Sequence, residues 1–248
     1  MFDVDRENRL PRRVSDAKNG ELMSKNDSAA RAVRTRSERS IDVHEAALTL
    51  FADRGYHGTS MKDIAAALHL RAPSLYNHVS AKQEILRDVM VETMNDLLKV
   101  VRSAMTGTDD TVQMLRRGAE AHVRYHARHP REVRIGNHEI PALEEPHRSA
   151  ISNLRREYSR MFVALIERGV EEGVFSTRSP LLSAYAILQM GIGVSMWYRP
   201  DGPLSEDEIV FQYGDMALRL VGASTEGGRG ATSDDTKKPA KRASRSKR

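Results

Sequence analysis

The chain has 248 residues, 40% of them hydrophobic, so it is long enough for one large or two small domains with a real core. It contains no cysteine, which excludes disulfide scaffolds, thiolate metal sites and cysteine nucleophiles. The net charge of +5 comes from the two ends, because residues 1–36 and 223–248 are basic whereas residues 37–222 are mildly acidic. Basic ends suggest a polyanion partner such as nucleic acid, although solubility explains them equally well.

The two ends lack the apolar periodicity of packed elements. Residues 1–36 mix Asn, Ser, Asp and Arg and are predicted to be a disordered basic leader. Residues 223–248 are a low-complexity basic tail. Residues 1–13 are charged and have no apolar core of a signal peptide, so we expect a soluble, cytoplasmic protein.

The chain between the two ends is predicted to be all-α. From about Ser37 to Gly55 apolar residues recur at helical spacing, and no segment alternates as a strand would. The later helices are predicted at Ser60–Leu68, Ala72–Val79, Ala81–Ala104, Asp110–His129, Arg131–His138, Pro146–Glu172, Ser179–Tyr198 and Ser205–Val221.

Several helix starts carry capping residues. Ser80 with Gln83, and Ser205 with Glu208, fit the capping box, in which a hydroxyl accepts a free backbone N–H and the later side chain reaches back. Ser179 precedes Pro180, which suits a cap followed by proline at the first helical position.

The predicted helix Ser179–Tyr198 carries no charged residue and is long enough to span a membrane. It contains Ser183, Gln189 and Ser195, and small residues recur along it. A buried helix or a subunit-interface helix therefore fits better than a membrane span.

The segment Thr59–Lys82 reads as a short helix, a tight turn and a second short helix. Ile64 and Ala65 lie on the inner face of the first helix, Leu70 is expected to plug the turn, and Leu75 and Val79 form the inner face of the second. This is the spacing of a helix-turn-helix, whose second helix enters the DNA major groove.

The side chains left outward, together with those flanking the motif, are the candidate DNA contacts. Arginine offers guanine a bidentate fork, serine and asparagine bond base edges or phosphate, and tyrosine, histidine and lysine reach phosphate oxygens. A threonine at a helix N-terminus favours a further phosphate. The candidates are Thr59, Arg71, Ala72, Ser74, Tyr76, Asn77, His78 and Lys82. The same pattern also fits a solvated helix face of any helical bundle.

The runs AALTLFADRGYHGTSMKDIAAAL and LRAPSLYNHVSAKQEIL resemble the N-terminal DNA-binding domain of the tetracycline-repressor (TetR) family. The resemblance implies a three-helix head over residues 37–82 and a helical body over 83–222 that dimerises through its last two helices and holds a small-molecule inducer. It also places Arg71 and the outward residues of the second helix, with Lys82, on family DNA-contact positions. Val79 stands where the family usually has phenylalanine, which we expect to loosen the packing under that helix.

The inducer pocket is predicted from flexible apolar and aromatic side chains of the body. Methionine adapts to irregular ligands, although each of these residues also suits an ordinary core. The candidate ligand-binding residues are Met94, Leu98, Met114, His122, Tyr125, Met161, Phe162, Met190 and Trp197.

The run VSMWYRPDGPLSEDEI resembles family members that respond to acyl-CoA thioesters in lipid or steroid breakdown. It also suits a turn shared by dimer-forming helices. An anionic, partly apolar inducer needs cations near the mouth of its pocket. Those available are Arg116, Arg117, Arg124, Arg128, Arg131, Arg134, Arg155 and Arg156, most of them expected on solvated helix faces.

No cofactor or metal is expected. His122 and His126 share a helix face and resemble a metal-binding pair, but no third or fourth ligand accompanies them, so a satisfied or surface pair fits better.

The leading hypothesis is a ligand-responsive repressor that binds a near-palindromic operator as a homodimer, with acyl-CoA as a candidate inducer. The alternative is a nonspecific architectural DNA-binding protein that uses its basic tails. An enzyme is not expected, because the sequence has no phosphate loop, nucleophile elbow or dinucleotide fingerprint.

Overall fold

The computed structural model describes residues 42–77 and 79–223, and within these ranges the chain is helical without a β-strand. The predicted leader, most of the tail, the start of the first helix and His78 lie outside the described residues. The helices are α1 (42–54), α2 (Met61–Ala67), α3 (Ala72–Leu75), α4 (Lys82–Met105), α5 (Thr111–Arg128), α6 (Pro130–His138), α7 (His147–Glu171), α8 (Pro180–Trp197) and α9 (Glu206–Leu220), with a 3₁₀ turn at Ile140–Ala142.

The helix starts show which capping predictions hold. The Ser179 hydroxyl accepts the Leu182 N–H at 3.3 Å ahead of Pro180, and the Ser205 hydroxyl accepts the Glu208 N–H at 3.3 Å. The return bond from the Ser205 N–H to the Glu208 side chain is absent from the described residues, so only half of that predicted box is confirmed. The predicted box of Ser80 with Gln83 is wrong, because the Ser80 N–H and hydroxyl bond Glu84 instead.

Gln83 has a different role because the connection from α6 to α7 crosses the start of α4. Its amide nitrogen donates to the Ala142 carbonyl at 2.7 Å, and its amide oxygen accepts the Glu144 N–H at 3.2 Å. The side chain thus satisfies two backbone groups of that connection instead of capping its own helix.

The first three helices and the start of α4 enclose a core that we call the head core. It contains Phe51 of α1, Ile64 of α2, Leu75 of α3 and Leu86 of α4, each at most 2% exposed. Ile135 of α6 and further residues of the α6–α7 region join the same core. The head therefore packs directly on the body.

The body, helices α4–α9, is built around α5, which contacts α4, α7, α8 and α9. Its main core is formed by Leu115, Phe162 and Ile166 with residues of α4 and α8. α4 starts in the head core and ends in this body core, so one long helix belongs to both. The predicted boundary at residue 82 is not tested by this arrangement.

In the described part of the chain, α8 is long and apolar enough to cross a membrane by length and composition, and 33% of its residues are buried. It packs against α5, α7, α6 and α9. Its buried face contains Ser183, Ala184 and Gly191, so the small residues serve close helix contacts.

Candidate DNA-binding head and ligand cavity

The turn between α2 and α3 has the bond pattern of a Schellman motif. The Leu70 N–H donates to Ala65 O at 2.8 Å and the His69 N–H donates to Ala66 O at 3.0 Å. His69 takes the left-handed conformation that this motif requires, with φ of 54°. Leu70 is 39% exposed, so the expectation that it plugs the turn is wrong; Leu68 packs against the head core instead.

At its start, α2 is held by a reciprocal cap that the sequence analysis missed. The Ser60 N–H donates to Asp63 Oδ2 at 2.8 Å, and the Asp63 N–H donates to Ser60 Oγ at 3.2 Å. These bonds hold the pKa of Asp63 below its usual value. A sequence signal was present, since Ser60 and Asp63 have capping-box spacing with aspartate in place of glutamate.

α3 is shorter than predicted. Its helical pattern ends at Leu75, although the Val79 N–H still reaches Leu75 O at 3.2 Å. The following Asn77 belongs to a residue type that is disfavoured inside helices and favoured in turns.

The candidate contacts on α3 form an outward surface. Arg71, Tyr76 and Asn77 are exposed, whereas Ser74 and Ala72 are half-buried. Tyr76 is 54% exposed despite its aromatic ring. Leu75 and Val79 anchor the opposite side in the head core, so the segment presents its polar side to the surroundings.

Thr59 and Lys82 lie in a different environment. Thr59 is 1% exposed, and its hydroxyl donates to Leu50 O and Gly55 O. The Lys82 ammonium donates to Tyr56 O at 2.8 Å and Thr59 O at 2.7 Å and lies 4.0 Å from the centre of the Tyr56 ring. Both side chains therefore hold the loop between α1 and α2, and Ser60 takes the surface position at the start of α2.

Burial lowers the pKa of Lys82, and the Glu139 carboxylate opposes this effect. Glu139 follows α6, and its Oε1 accepts the Tyr56 N–H at 3.1 Å. The same loop of the head is thus bonded to α4 and to the end of α6.

A cavity of about 390 Å³ lies in the body between helices α4, α5, α6, α7 and α8. Its volume is within the range of roughly 300–1,000 Å³ found for small-molecule sites. Apolar walls come from α4 and α8, with Met94 and Ile192 among them. Arg155 and Ser159 of α7 and Asn137 of α6 add polar groups.

The inner wall of the cavity holds a chain of neutral polar groups. His122 Nε2 lies 3.0 Å from Leu188 O and therefore donates to it, which leaves Nδ1 to accept the Tyr158 hydroxyl at 2.7 Å. His126 Nδ1 donates to His122 O at 2.7 Å.

Burial is the main cause of the unusual titration of these groups. It lowers the pKa of His122 well below its usual value, lowers that of His126 to about 4, and raises that of Tyr158. Both rings are therefore uncharged near neutral pH. Because both ring nitrogens of His122 are bonded, this histidine pair does not present two free lone pairs to a metal.

The structure brings Met94, His122 and Tyr125 of the predicted ligand residues to the cavity wall. The others lie elsewhere: Leu98 and Phe162 are buried in the body core, Met114, Met161 and Met190 pack against it, and Trp197 is 47% exposed. Helical periodicity identified apolar side chains correctly but did not separate those facing the core from those facing the cavity.

Several wall residues were not identified from the sequence as ligand contacts. They include Thr93, Glu132, Asn137, Ser152, Tyr158 and Gln189. One signal was available on α7, where Ser152, Arg155, Arg156 and Ser159 have the spacing of a single helix face. Such a polar stripe also fits a solvated face, so only the packing of α6 and α8 reveals its surroundings.

Two family models match this chain. Residues 44–89 match "Bacterial regulatory proteins, tetR family", and residues 108–221 match "Tetracyclin repressor-like, C-terminal domain". The first covers most of the head and the second covers the body from α5 to α9.

Similar proteins cover nearly the same part of the chain. The HTH-type transcriptional repressor KstR2 of Mycobacterium tuberculosis is 28% identical over 193 residues, which are 77% of this chain and 96% of that protein. The crystal structure of AibR in complex with isovaleryl coenzyme A and operator DNA has a TM-score of 0.67 at 28% identity, covering 75% of this chain and all of AibR.

The TetR-family transcriptional regulator PfmR from Thermus thermophilus is 33% identical with a TM-score of 0.65. The match covers 71% of this chain and 97% of PfmR. This level of similarity extends through both the head and the body. The chain therefore belongs to the TetR family of bacterial transcriptional regulators.

Proposed function

We propose that this protein is a cytoplasmic, ligand-responsive repressor that binds a near-palindromic operator as a homodimer and is released by a small molecule, with acyl-CoA as the candidate inducer. The observation that carries the proposal is the position of α6. One side of this helix lines the body cavity with Val133 and Gly136, and the other side packs on the head with Ile135.

The polar surface of α3 supports DNA recognition. Arg71 is exposed at the start of the helix, where its guanidinium has room for a bidentate contact with guanine. Tyr76 and Asn77 are exposed beside it, which suits contacts with phosphate or base edges. Ala72, Ser74 and His78 remain among the proposed DNA contacts. Thr59 and Lys82 are proposed to act indirectly, by holding the loop between α1 and α2.

An exposed apolar surface on α8 and α9 supports the homodimer. Leu182, Met196 and Phe211 are 67%, 75% and 58% exposed, and further large apolar side chains of these helices are about half exposed. Patches of this kind mark interaction sites in soluble proteins. A two-fold dimer places two heads on half-sites about one helical turn of DNA apart.

The head is linked to the cavity through three side chains. Glu139 accepts the Tyr56 N–H at 3.1 Å, Arg131 donates to Thr49 Oγ1 at 2.9 Å, and Gln83 bonds the connection after α6. A ligand that displaces α6 therefore changes the orientation of the head. Since the coupling is reciprocal, operator DNA weakens ligand binding by the same factor.

A CoA thioester suits the cavity because the apolar walls accept an acyl group while the volume of about 390 Å³ leaves the adenosine outside. The similar protein AibR was crystallised with isovaleryl coenzyme A and operator DNA. The lipid and steroid interpretation of the sequence gains support from the similarity to KstR2, described as a ketosteroid transcriptional regulator.

Binding of the full chain to its own upstream DNA tests the proposal. Fluorescence anisotropy should show preference for one near-palindromic site, two protomers bound per site, and release on addition of acyl-CoA. Equal affinity for unrelated DNA, or a monomer in sedimentation, would contradict it. Raised melting temperature with acyl-CoA is expected as well, since a ligand that binds the folded state stabilises it.

Deletion of residues 223–248 separates the repressor from the architectural alternative. A repressor keeps its site preference after the deletion and loses only salt-dependent affinity. An architectural protein that binds through its tails loses most of its affinity.

A further inference from the structure

Arg155 differs from the other half-buried arginines of the described residues. The others all have a carboxylate partner: Arg87 pairs with Asp88, Arg116 with Asp215, Arg124 with Glu206 and Arg168 with Glu172. Arg155 makes none of the ion pairs found in residues 42–77 and 79–223.

The partners of Arg155 are neutral acceptors at the end of α6. Its Nη1 donates to Gly136 O at 2.7 Å, and both terminal nitrogens lie 3.3 Å from Asn137 Oδ1. A guanidinium has five N–H donors, so these acceptors leave donors for a further partner. Burial lowers the pKa of Arg155.

The position of Arg155 shows where that partner lies. Ser152, Arg155, Arg156 and Ser159 occupy successive turns on one face of α7, and all four line the body cavity. Arg156 is exposed, whereas Arg155 is half-buried. Guanidinium and hydroxyl groups together are the donors that proteins use for phosphate and carboxylate.

The opposite side of the cavity is apolar, with Met90, Met94 and Leu97 of α4 and Ile192 of α8. The cavity thus combines apolar residues of α4 and α8 with two arginines of α7. Its lining also includes the carboxylate of Glu132, which pairs with His129 and makes no ion pair with Arg155 among the described residues. Buried charges in proteins are paired, and an uncompensated one in a cavity is suited to a charged ligand.

We infer that Arg155 is the anion-binding residue of this cavity and that it receives a phosphate or carboxylate group of an amphipathic ligand whose apolar part lies against α4. The inference rests on the proposed function, since it assigns a chemical class to the ligand of the same cavity. Because Arg155 also bonds Gly136 O and Asn137 Oδ1, an anion bound by its remaining donors contacts the side chain that holds the end of α6.

The test uses full-length protein with four variants: Arg155→Gln, Arg155→Lys, Arg156→Gln and Arg160→Gln. Arg160 is exposed on α7 away from the cavity wall and controls for the loss of one positive charge. The probes are isovaleryl-, octanoyl- and cholyl-CoA. Octanoyl-pantetheine, octanoate and free CoA are added to identify which group of the ligand supplies the anion. Dissociation constants come from titration calorimetry, and DNA release from anisotropy.

Arg155→Gln is expected to lower the affinity for a CoA thioester by roughly 10–100-fold relative to wild type, which is the effect of removing a hydrogen bond to a charged group. Arg155→Lys should retain part of the affinity because lysine keeps the charge but loses the two-point geometry. Arg156→Gln should have a smaller effect and Arg160→Gln none. Circular dichroism and the melting temperature of each ligand-free variant confirm that it folds.

The panel identifies the source of the anion. A loss for octanoyl-CoA without one for octanoyl-pantetheine assigns a phosphate of the nucleotide, and a loss for octanoate assigns a carboxylate. Equal losses for all probes, including the uncharged pantetheine thioester, would overturn the inference, as would wild-type affinity in a folded Arg155→Gln protein. The proposed function fails separately if no probe binds wild type or releases its DNA.

Discussion

The head and the body differ in what they bury. In the described residues, the head core is apolar apart from Thr59, whose hydroxyl is satisfied by two backbone carbonyls. The body buries His122, His126, Thr111 and Ser183 and surrounds a cavity. The head therefore carries its polar chemistry on the outside, on the surface of α3, whereas the body carries it inside.

Because of this difference, we expect the head to respond to salt concentration and the body to respond to pH. A surface that meets DNA phosphates is sensitive to salt and to the charge of single side chains. Buried histidines are shielded from salt but make stability depend on pH. Four predictions follow this division, from the largest expected effect to the smallest.

If the proposed function holds, Arg71→Gln should weaken binding to the upstream operator by about 1–3 kcal/mol at each of the two heads, because glutamine would lose the proposed bidentate contact with guanine. Fluorescence anisotropy at fixed salt measures the change, and thermal melting should be unaltered. Lys99→Gln, an exposed charge change on α4, is the matched control. Equal operator affinity of wild type and Arg71→Gln would contradict the proposal that Arg71 at the start of α3 contacts DNA.

Gly191→Ala should destabilise the body by about 2–3 kcal/mol, since its methyl group would lie 2.3 Å from His122 Cδ2 across the contact of α8 with α5. Gly193→Ala is the control on the same helix, because apart from its own helix no atom of residues 42–77 or 79–223 lies within 4 Å of its added methyl group. That change should be neutral or stabilising by about 0.5–1 kcal/mol through helix propensity. Equal urea denaturation midpoints for the two variants would contradict the close contact.

Stability should fall by about 2 kcal/mol between pH 7.5 and pH 5 because of His126 alone. Its pKa of about 4 in the folded protein lies below the usual value of 6.5, so the unfolded chain binds the proton first as pH falls. The contribution is complete above pH 6.5 and is lost progressively towards pH 4. His122 acts in the same direction.

Urea denaturation at the two pH values measures this dependence, and His126→Gln should reduce it. His57→Gln in the head is the control, because that side chain is exposed. An unchanged pH dependence in His126→Gln would show that the buried ring is not its source.

Lys82→Met should destabilise the head by about 1–2 kcal/mol through loss of the bonds to Tyr56 O and Thr59 O. Lower operator affinity should accompany this loss. Melting curves and anisotropy on the same sample distinguish the two roles of the lysine. Reduced operator affinity with unaltered stability would instead indicate that Lys82 contacts a DNA phosphate directly, as predicted from the sequence.

The sequence predicted the head more completely than the cavity. The all-α class and the helices of the body agree with the structure within a few residues, because apolar periodicity, proline and capping serines mark their limits locally. In the head, the outward position of Arg71 and Tyr76 follows from which helix faces are apolar. Lys82 was predicted to reach a DNA phosphate, and only the fold shows that its ammonium bonds two backbone carbonyls of the head.

The cavity was predicted less well because it lies between five helices that are distant in the chain. Met94 and Phe162 have the same apolar character and helical placement, yet one reaches the cavity and the other the body core. Arg155 and Arg160 likewise differ only in the neighbours that surround them.

The amino-acid order by itself determined the helices, their limits apart from the end of α3, and the polar face of α3, because these depend on residues within a few turns of one another. Tertiary structure alone decided which side chains meet across α4–α8, that His122 and His126 are held neutral, and that Arg155 lies half-buried without a carboxylate partner in the described part of the chain. The physical reason is that solvation and pairing of a charge depend on atoms brought together from separate helices, which no local pattern records.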